Sequence, residues 1–129
     1  MPRVPPLTVG VLALGFGVAI SSCARVARPS DPVTISPQYY TVLLDSNNVR
    51  VLEYRLAAGE KEAMHAHPSY VVYFFGGAKL RVTYPDGRSS ESVVTPGETL
   101  YRDPLSHAIE NIGDTKLHAL LIELKPGSR

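Results

Sequence analysis

Residues 59–68 read Gly-Glu-Lys-Glu-Ala-Met-His-Ala-His-Pro, so that His65 and His67 stand two residues apart. On an extended strand, residues i and i+2 point to the same face, and Pro68 favours extended geometry for His67. The two imidazoles are therefore predicted to lie side by side, where they could share one divalent cation. For a His-x-His pair on its own, a solvated strand end is the alternative interpretation.

Short strands are predicted on both sides of this segment. Apolar, β-branched and aromatic residues are concentrated in runs at 39–44, 49–56, 70–75, 79–84, 88–94, 98–102, 107–111 and 116–124. Turn residues such as Pro85-Asp-Gly87 and Pro96-Gly97 separate the runs, and no stretch shows a helical face flanked by caps. A strand about every eight to twelve residues indicates an all-β sandwich or a small barrel.

A third histidine, His107, lies in a separate predicted strand that reads His107-Ala-Ile-Glu-Asn111. A closed barrel could bring this residue opposite His65 and His67, although the two segments are far apart in the chain. The sequence therefore predicts a metal site formed by His65, His67 and His107.

The two histidine segments resemble the two motifs of the cupin superfamily. In the first motif a Gly precedes the first His by six positions, as Gly59 precedes His65, and a later Gly corresponds to Gly77. The second motif ends in a His that is followed four residues later by an Asn, and His107 and Asn111 match these two residues. This resemblance covers about residues 49–124. It implies a single small antiparallel β-barrel of the jelly-roll kind over 38–126.

The chain departs from the cupin motifs at three places. The Glu of the first motif is missing, and Tyr70 or Val71 stands in its place, depending on the direction of counting. The spacing after His67 is one residue short, and Asp103-Pro-Leu-Ser-His107 lacks the usual Pro-x-Gly. Without that Glu, three neutral imidazoles would leave both charges of a divalent ion uncancelled, which favours an anionic ligand.

The three-histidine pattern is similar to that of some cupin dioxygenases, which implies a non-haem metal-dependent oxygenase acting on a small anionic substrate. The metal could be Fe, Zn, Mn, Ni or Cu, because imidazole suits several of these ions. Two alternatives remain open: a non-catalytic module that binds a ligand or a metal, and a degenerate cupin without an ion. The resemblance also implies a homodimer that pairs through the strand at 39–44.

Six further residues are predicted to form the pocket. Val72 and Phe74 share a face with Tyr70 by period two, and the phenol of Tyr70 is expected near the metal as a filling residue rather than a ligand. The other candidates are Tyr54, Tyr101 and Arg102. Arg102 would pair either with an anionic substrate or with Asp103 at the surface.

Four polar residues are predicted to lie outside the chemistry. Glu60 and Glu62, which flank the first motif, are expected to be solvated, although loop folding could let one of them replace the missing carboxylate. His118 is interpreted as structural or exposed. Asn111 is expected to satisfy backbone groups at a turn.

The first residues of the chain are predicted to lie outside the folded domain. Arg3 and the apolar run at 8–20 have the layout of a secretory signal over 1–22, and the run is shorter than a membrane-spanning helix requires. Ile20-Ser-Ser-Cys23 resembles a lipobox, which predicts an exported, periplasmic or membrane-anchored lipoprotein, or alternatively a secreted protein. A plain cleaved signal in which Cys23 has no role and an uncleaved anchor are the other interpretations. A Pro-rich linker is predicted over 23–37.

Charge and composition exclude other classes of partner. The 129 residues carry a formal net charge of +1, and no run of Lys or Arg could follow a phosphate backbone. Nucleic acid is therefore not an expected partner, and membrane contact is expected only through the N-terminal signal or anchor. A single Cys excludes an internal disulfide.

Overall fold

A computed structural model of the protein describes residues 31–127, which form two antiparallel sheets that face each other. The first sheet contains β1 (Tyr40–Asp45), β2 (Val49–Leu56), β9 (Leu117–Leu124), β4 (Tyr70–Gly76) and β7 (Thr99–Arg102), in that order. The second contains β3 (His65–His67), β8 (Leu105–Asn111), β5 (Ala78–Thr83) and β6 (Ser89–Val94). The prediction of a small antiparallel β-barrel is confirmed.

Alternation along the strands builds the interior. On β4, Tyr70, Val72 and Phe74 are buried, while the residues between them face outward. On β9 the buried positions are again every second residue, from Leu117 to Glu123. Two apolar inner faces packed against each other form the core, as in other sandwiches and barrels.

Tight turns lie at the predicted places, one within a hairpin and one between the two sheets. Gly87 and Gly97 have φ of 84° and 85°, the left-handed conformation that glycine adopts without steric cost. Gly87 ends the turn from β5 to β6, and Gly97 the turn from β6 to β7. The first turn sets the register of the β5–β6 hairpin, and the second carries the chain from one sheet to the other.

The segment before β1 is ordered against the barrel. Asp31 caps the short helix α1 (Pro32–Ile35) by accepting a hydrogen bond from the Val33 backbone N–H, and a 3₁₀ turn (Pro37–Tyr39) leads into β1. Pro32 and Ser36 are buried. Residues 31–37, predicted as part of the linker, therefore pack on the domain, because a Pro at the start of a capped turn favours helix.

The predicted signal over 1–22, Cys23 and most of the linker lie outside the described residues. Within 31–127, no helix has the length and hydrophobicity needed to cross a membrane.

Candidate metal centre

The three predicted ligands converge at one end of the barrel interior. Strand β3 pairs with β8 so that His65 lies directly opposite His107, and His67 follows on the same face. All three side chains are buried, and one ring nitrogen from each lies within 4.8 Å of the others. The predicted convergence of His65, His67 and His107 is thus confirmed.

A buried carboxylate on the loop before β3 holds His65. Nδ1 of His65 lies 2.7 Å from Oε1 of Glu62 and 2.9 Å from the carbonyl oxygen of Ala63. Both partners are acceptors, so Nδ1 carries the proton of the ring. The hydroxyls of Tyr40 and Tyr54 donate to the two oxygens of Glu62, which fixes the carboxylate from the opposite side.

His67 is held by a second buried carboxylate, on the last strand. Its Nδ1 donates to Oε1 of Glu123 at 2.6 Å. The other oxygen of Glu123 accepts from Nε of Arg50 at 2.6 Å. Burial raises the pKa of Glu123, but the hydrogen bonds from His67 and Arg50 outweigh it and keep that pKa below 4.5. The carboxylate is therefore ionised at neutral pH.

The donor set fits a divalent metal ion. Because Nδ1 of each ring donates to a carboxylate, Nε2 is the atom through which His65 and His67 can bind a cation. These two Nε2 atoms face each other at 2.9 Å, and lone pairs so close repel unless a proton or a cation is shared between them. A carboxylate on the far nitrogen of each ring is the usual support of a histidine that binds metal.

His107 supplies a third neutral imidazole. Its ring centroid lies 4.8 Å from that of His65 and 5.4 Å from that of His67. Burial, followed by electrostatic interaction with His65, His67 and Arg102, lowers the pKa of His107 to about 2. Its ring is therefore neutral at neutral pH, the form in which imidazole binds metals.

A cavity of about 450 Å³ extends from the histidines between the two sheets. His67 and His107 line it, together with the five predicted pocket residues Tyr54, Tyr70, Val72, Phe74 and Arg102. Most other lining side chains are apolar. The ring of Tyr70 lies 4.9 Å from that of His67, and burial raises the pKa of Tyr70 to about 12. The phenol is thus protonated at neutral pH.

One predicted pocket residue is misplaced. Tyr101 is 56% exposed and is absent from the cavity wall. In the sheet it pairs with Val71, whereas its neighbours Leu100 and Arg102 pair with the inward residues Val72 and Tyr70. Because paired residues share a face, Tyr101 points outward.

The prediction that Glu62 is solvated is wrong. Glu62 is buried against His65, not solvated, and it binds the ring rather than the cation position that the missing cupin Glu would occupy. Glu60 is exposed and accepts from the Ala57 backbone N–H. His118 contacts Glu53 on the outer face, away from the site. Asn111 binds the carbonyl oxygens of Leu56 and Thr115, as expected for a structural role.

Sequence reasoning also missed Glu123 and Arg50. A signal for Glu123 was present, because it continues the inward row Leu117, Ala119 and Leu121 at period two, where a carboxylate requires a partner. Arg50 lies directly across from Glu123 in the β2–β9 pairing.

Solved structures with this architecture place the chain in a family. It is 31% identical to a cupin domain from Bordetella pertussis Tohama I, with a TM-score of 0.62, covering 67% of this chain and 92% of that one. An RmlC-like cupin with a double-stranded β-helix fold from Methanocaldococcus jannaschii is 16% identical, with a TM-score of 0.54, over 66% and 77%. A cupin superfamily protein from Desulfitobacterium hafniense DCB-2 is 18% identical, with a TM-score of 0.53, over 67% and 76%.

No protein-family model and no curated protein matches the chain. The assignment therefore rests on the solved Bordetella domain, which the chain covers almost completely, together with the two histidine segments and the two-sheet barrel. The protein belongs to the cupin superfamily.

Proposed function

We propose that the protein binds one divalent metal ion through Nε2 of His65, Nε2 of His67 and a ring nitrogen of His107, and acts on a small anionic molecule bound beside it. The observation that carries this proposal is the pair of facing Nε2 atoms, each on a ring whose Nδ1 donates to a buried carboxylate. At 2.9 Å these two nitrogens can share a proton or bind one cation, and the ring nitrogen of His107 within 4.8 Å of both supports the cation.

The local charge supports an anionic ligand. Glu62 offsets one of the two positive charges that a divalent ion would bring, and Glu123 is already paired with Arg50. The exposed Arg102 adds a cation to the cavity wall, to which Glu98 also contributes a carboxylate. Among residues 31–127 no carboxylate, Asp103 included, forms an ion pair with Arg102. A carboxylate, enolate or thiolate would satisfy both the metal and Arg102.

The cavity defines the remainder of the ligand. Its inner wall is apolar, with Val72, Phe74 and Leu121 among the lining residues, and the ring of Tyr70, which carries a hydroxyl donor, lies 4.9 Å from that of His67. An amphiphilic molecule with its anionic group at the metal and its apolar part along this wall would fit. Binding would bury apolar surface and orient the anionic end.

The reaction we propose is a metal-dependent oxygenation. Iron held by His65, His67 and His107 would supply the means to activate dioxygen beside an anionic substrate. In that reaction the residues of this chain would keep the three imidazoles neutral, hold the substrate anion through Arg102 and exclude water from the apolar wall. The same three ligands would also hold Zn, Mn, Ni or Cu, but the oxygenation requires a redox-active ion, which Zn²⁺ is not.

Oxygen consumption tests the catalytic part of the proposal. The full chain, purified without a His tag and loaded with Fe²⁺, is offered thiols, diketones and phenolic acids. Oxygen uptake with one of these classes, lost in His65→Ala, supports an oxygenase. Metal-dependent binding of the same compounds without oxygen uptake identifies a ligand-binding module and overturns catalysis.

We also propose a homodimer that pairs through β1. This edge strand exposes Val42, Leu43 and Leu44, and Leu43 is 56% exposed. An apolar edge with unpaired backbone groups is normally covered in a soluble protein. Light scattering of the wild type and of Leu43→Lys tests it: a dimer that becomes a monomer supports the pairing, and a wild-type monomer contradicts it. Export and lipidation of Cys23 stay predictions.

A further inference from the structure

The second carboxylate of the site is connected to the segment before the barrel. Glu123 uses one oxygen for Nδ1 of His67 and the other for Nε of Arg50, both at 2.6 Å. On its other side, an Nη atom of Arg50 lies 2.7 Å from Oδ2 of Asp31. An unbroken chain of hydrogen bonds therefore runs from the residue that caps α1 to a ring that lines the cavity.

The geometry of this chain is that of an orienting device. A carboxylate held through one oxygen can pivot about that contact, whereas Glu123 is held through both. Its side chain is 1% exposed and that of Arg50 only 15%, so water does not compete freely for either contact. Because guanidinium is planar and offers several donors, Arg50 can bind Glu123 and Asp31 at once in fixed directions.

We propose that Arg50 is a positioning residue for His67, acting through Glu123, and that Asp31 fixes Arg50 for this role. The inference rests on the proposed metal site. The docked segment at 31–36 thereby becomes part of the support of the metal ligand. Loss of this support leaves the three histidines in place but lets the ring of His67 turn.

The test compares Arg50→Gln with a matched control, Arg55→Gln. Arg55 lies on the same strand and pairs with Glu53, away from the cavity. In the full chain, Zn²⁺ affinity is measured by competition with a chromophoric chelator. Arg50→Gln is expected to weaken Zn²⁺ binding by about 10–100-fold, the range typical of mutating residues that hydrogen-bond to or orient metal ligands. Arg55→Gln is expected to leave Zn²⁺ affinity unchanged.

Two further variants separate orientation from charge and from folding. Arg50→Lys keeps the charge but loses the planar fork, and it is expected to bind Zn²⁺ with intermediate affinity. Asp31→Asn retains a good helix cap while removing the ion pair, and a smaller loss is expected. Wild-type affinity in a folded Arg50→Lys variant would show that charge alone matters and would overturn the positioning role.

A readout without metal distinguishes failure of this inference from failure of the proposed function. In the metal-free protein, the NMR resonance of the His67 Nδ1–H is expected to shift or broaden in Arg50→Lys and Asp31→Asn but not in Arg55→Gln. An unchanged resonance in both of the former variants contradicts the role of Arg50. A wild-type chain that binds no Zn²⁺ contradicts the proposed metal site, and the resonance then decides on Arg50 alone.

Discussion

Glu62 and Glu123 perform the same task for neighbouring histidines in different ways. Glu62 is held by the hydroxyls of Tyr40 and Tyr54, which are neutral, and among the described residues no Lys or Arg pairs with it. Glu123 is held by Arg50, whose charge balances it. Both carboxylates orient a ring, but Glu62 also leaves negative charge beside the cation position.

This difference explains how the site can lack the usual cupin Glu. The carboxylate that would have bound the metal directly is replaced by Glu62 on the far nitrogen of His65. In the proposed centre its charge would act through the imidazole, which would become a stronger donor, and one coordination position would stay open for a ligand. On this account Glu62 sets the charge of the centre, and Glu123 sets its geometry.

His107, the ring without a carboxylate, provides the largest expected effect. His107→Ala removes one of three proposed ligands. Zn²⁺ affinity should therefore fall by more than roughly 100-fold, the largest loss expected when a residue that supports a ligand is mutated. Chelator competition measures it, with His118→Ala as the control because His118 lies on the outer face. Equal binding by both variants would remove His107 from the site.

The two carboxylates themselves are compared by Glu62→Gln and Glu123→Gln. Each substitution should weaken Zn²⁺ binding by about 10–100-fold. Glu62→Gln should bind more weakly than Glu123→Gln, because the charge of the Glu62 carboxylate, unlike that of Glu123, is not balanced by an Arg. Calorimetric titration of both variants at one pH measures the difference. A larger loss in Glu123→Gln would reverse the roles assigned to the two residues.

Arg102 should affect the ligand without affecting the metal. Arg102→Gln removes a charged donor from the cavity wall, which should weaken binding of a carboxylate to the Zn²⁺ form by about tenfold. Benzoate is a suitable probe, and titration of Zn²⁺ into the same variant is the control. Unchanged benzoate affinity would leave Arg102 without a role in recognition.

Tyr70 provides the smallest effect, seen at alkaline pH. Burial raises its pKa to about 12; Arg102 lowers it, and Glu123 and Glu62 raise it. Between about pH 10 and 12 the unfolded phenol loses its proton before the folded one, so stability falls as pH rises. Urea unfolding at pH 9 to 11 should show a shallower fall for Tyr70→Phe than for the wild type or Tyr101→Phe. Identical slopes would contradict it.

The period-two alternation of apolar and polar residues predicted most of the strands. Val49–Leu56 begins and ends where alternation and turn residues placed it, and the His-x-His pair lies on an extended strand as Pro68 indicated. His107 followed from its motif context. Inward and outward faces were harder in short strands, because in Thr99–Arg102 a shift of one residue exchanges Tyr101 with its neighbours.

The support of the site could not be predicted in the same way. Glu62 lies in a loop, where no periodicity indicates burial, and its contacts with Tyr40 and Tyr54 depend on tertiary packing. Arg50 and Glu123 are 73 residues apart in the chain, and the β2–β9 pairing brings them together. The packing of the two sheets then brings Glu123 to His67. Ligands were recognisable from local spacing, whereas their partners required the topology.

Metal stoichiometry tests the central claim most directly. The full chain, purified without a His tag, is saturated with Co²⁺, freed of excess ion and analysed for cobalt and by absorption spectroscopy. We expect one cobalt per chain, with d–d bands that disappear in His67→Ala and persist in His118→Ala. No retained cobalt in the wild type, or equal retention in His67→Ala, would contradict a metal centre formed by His65, His67 and His107.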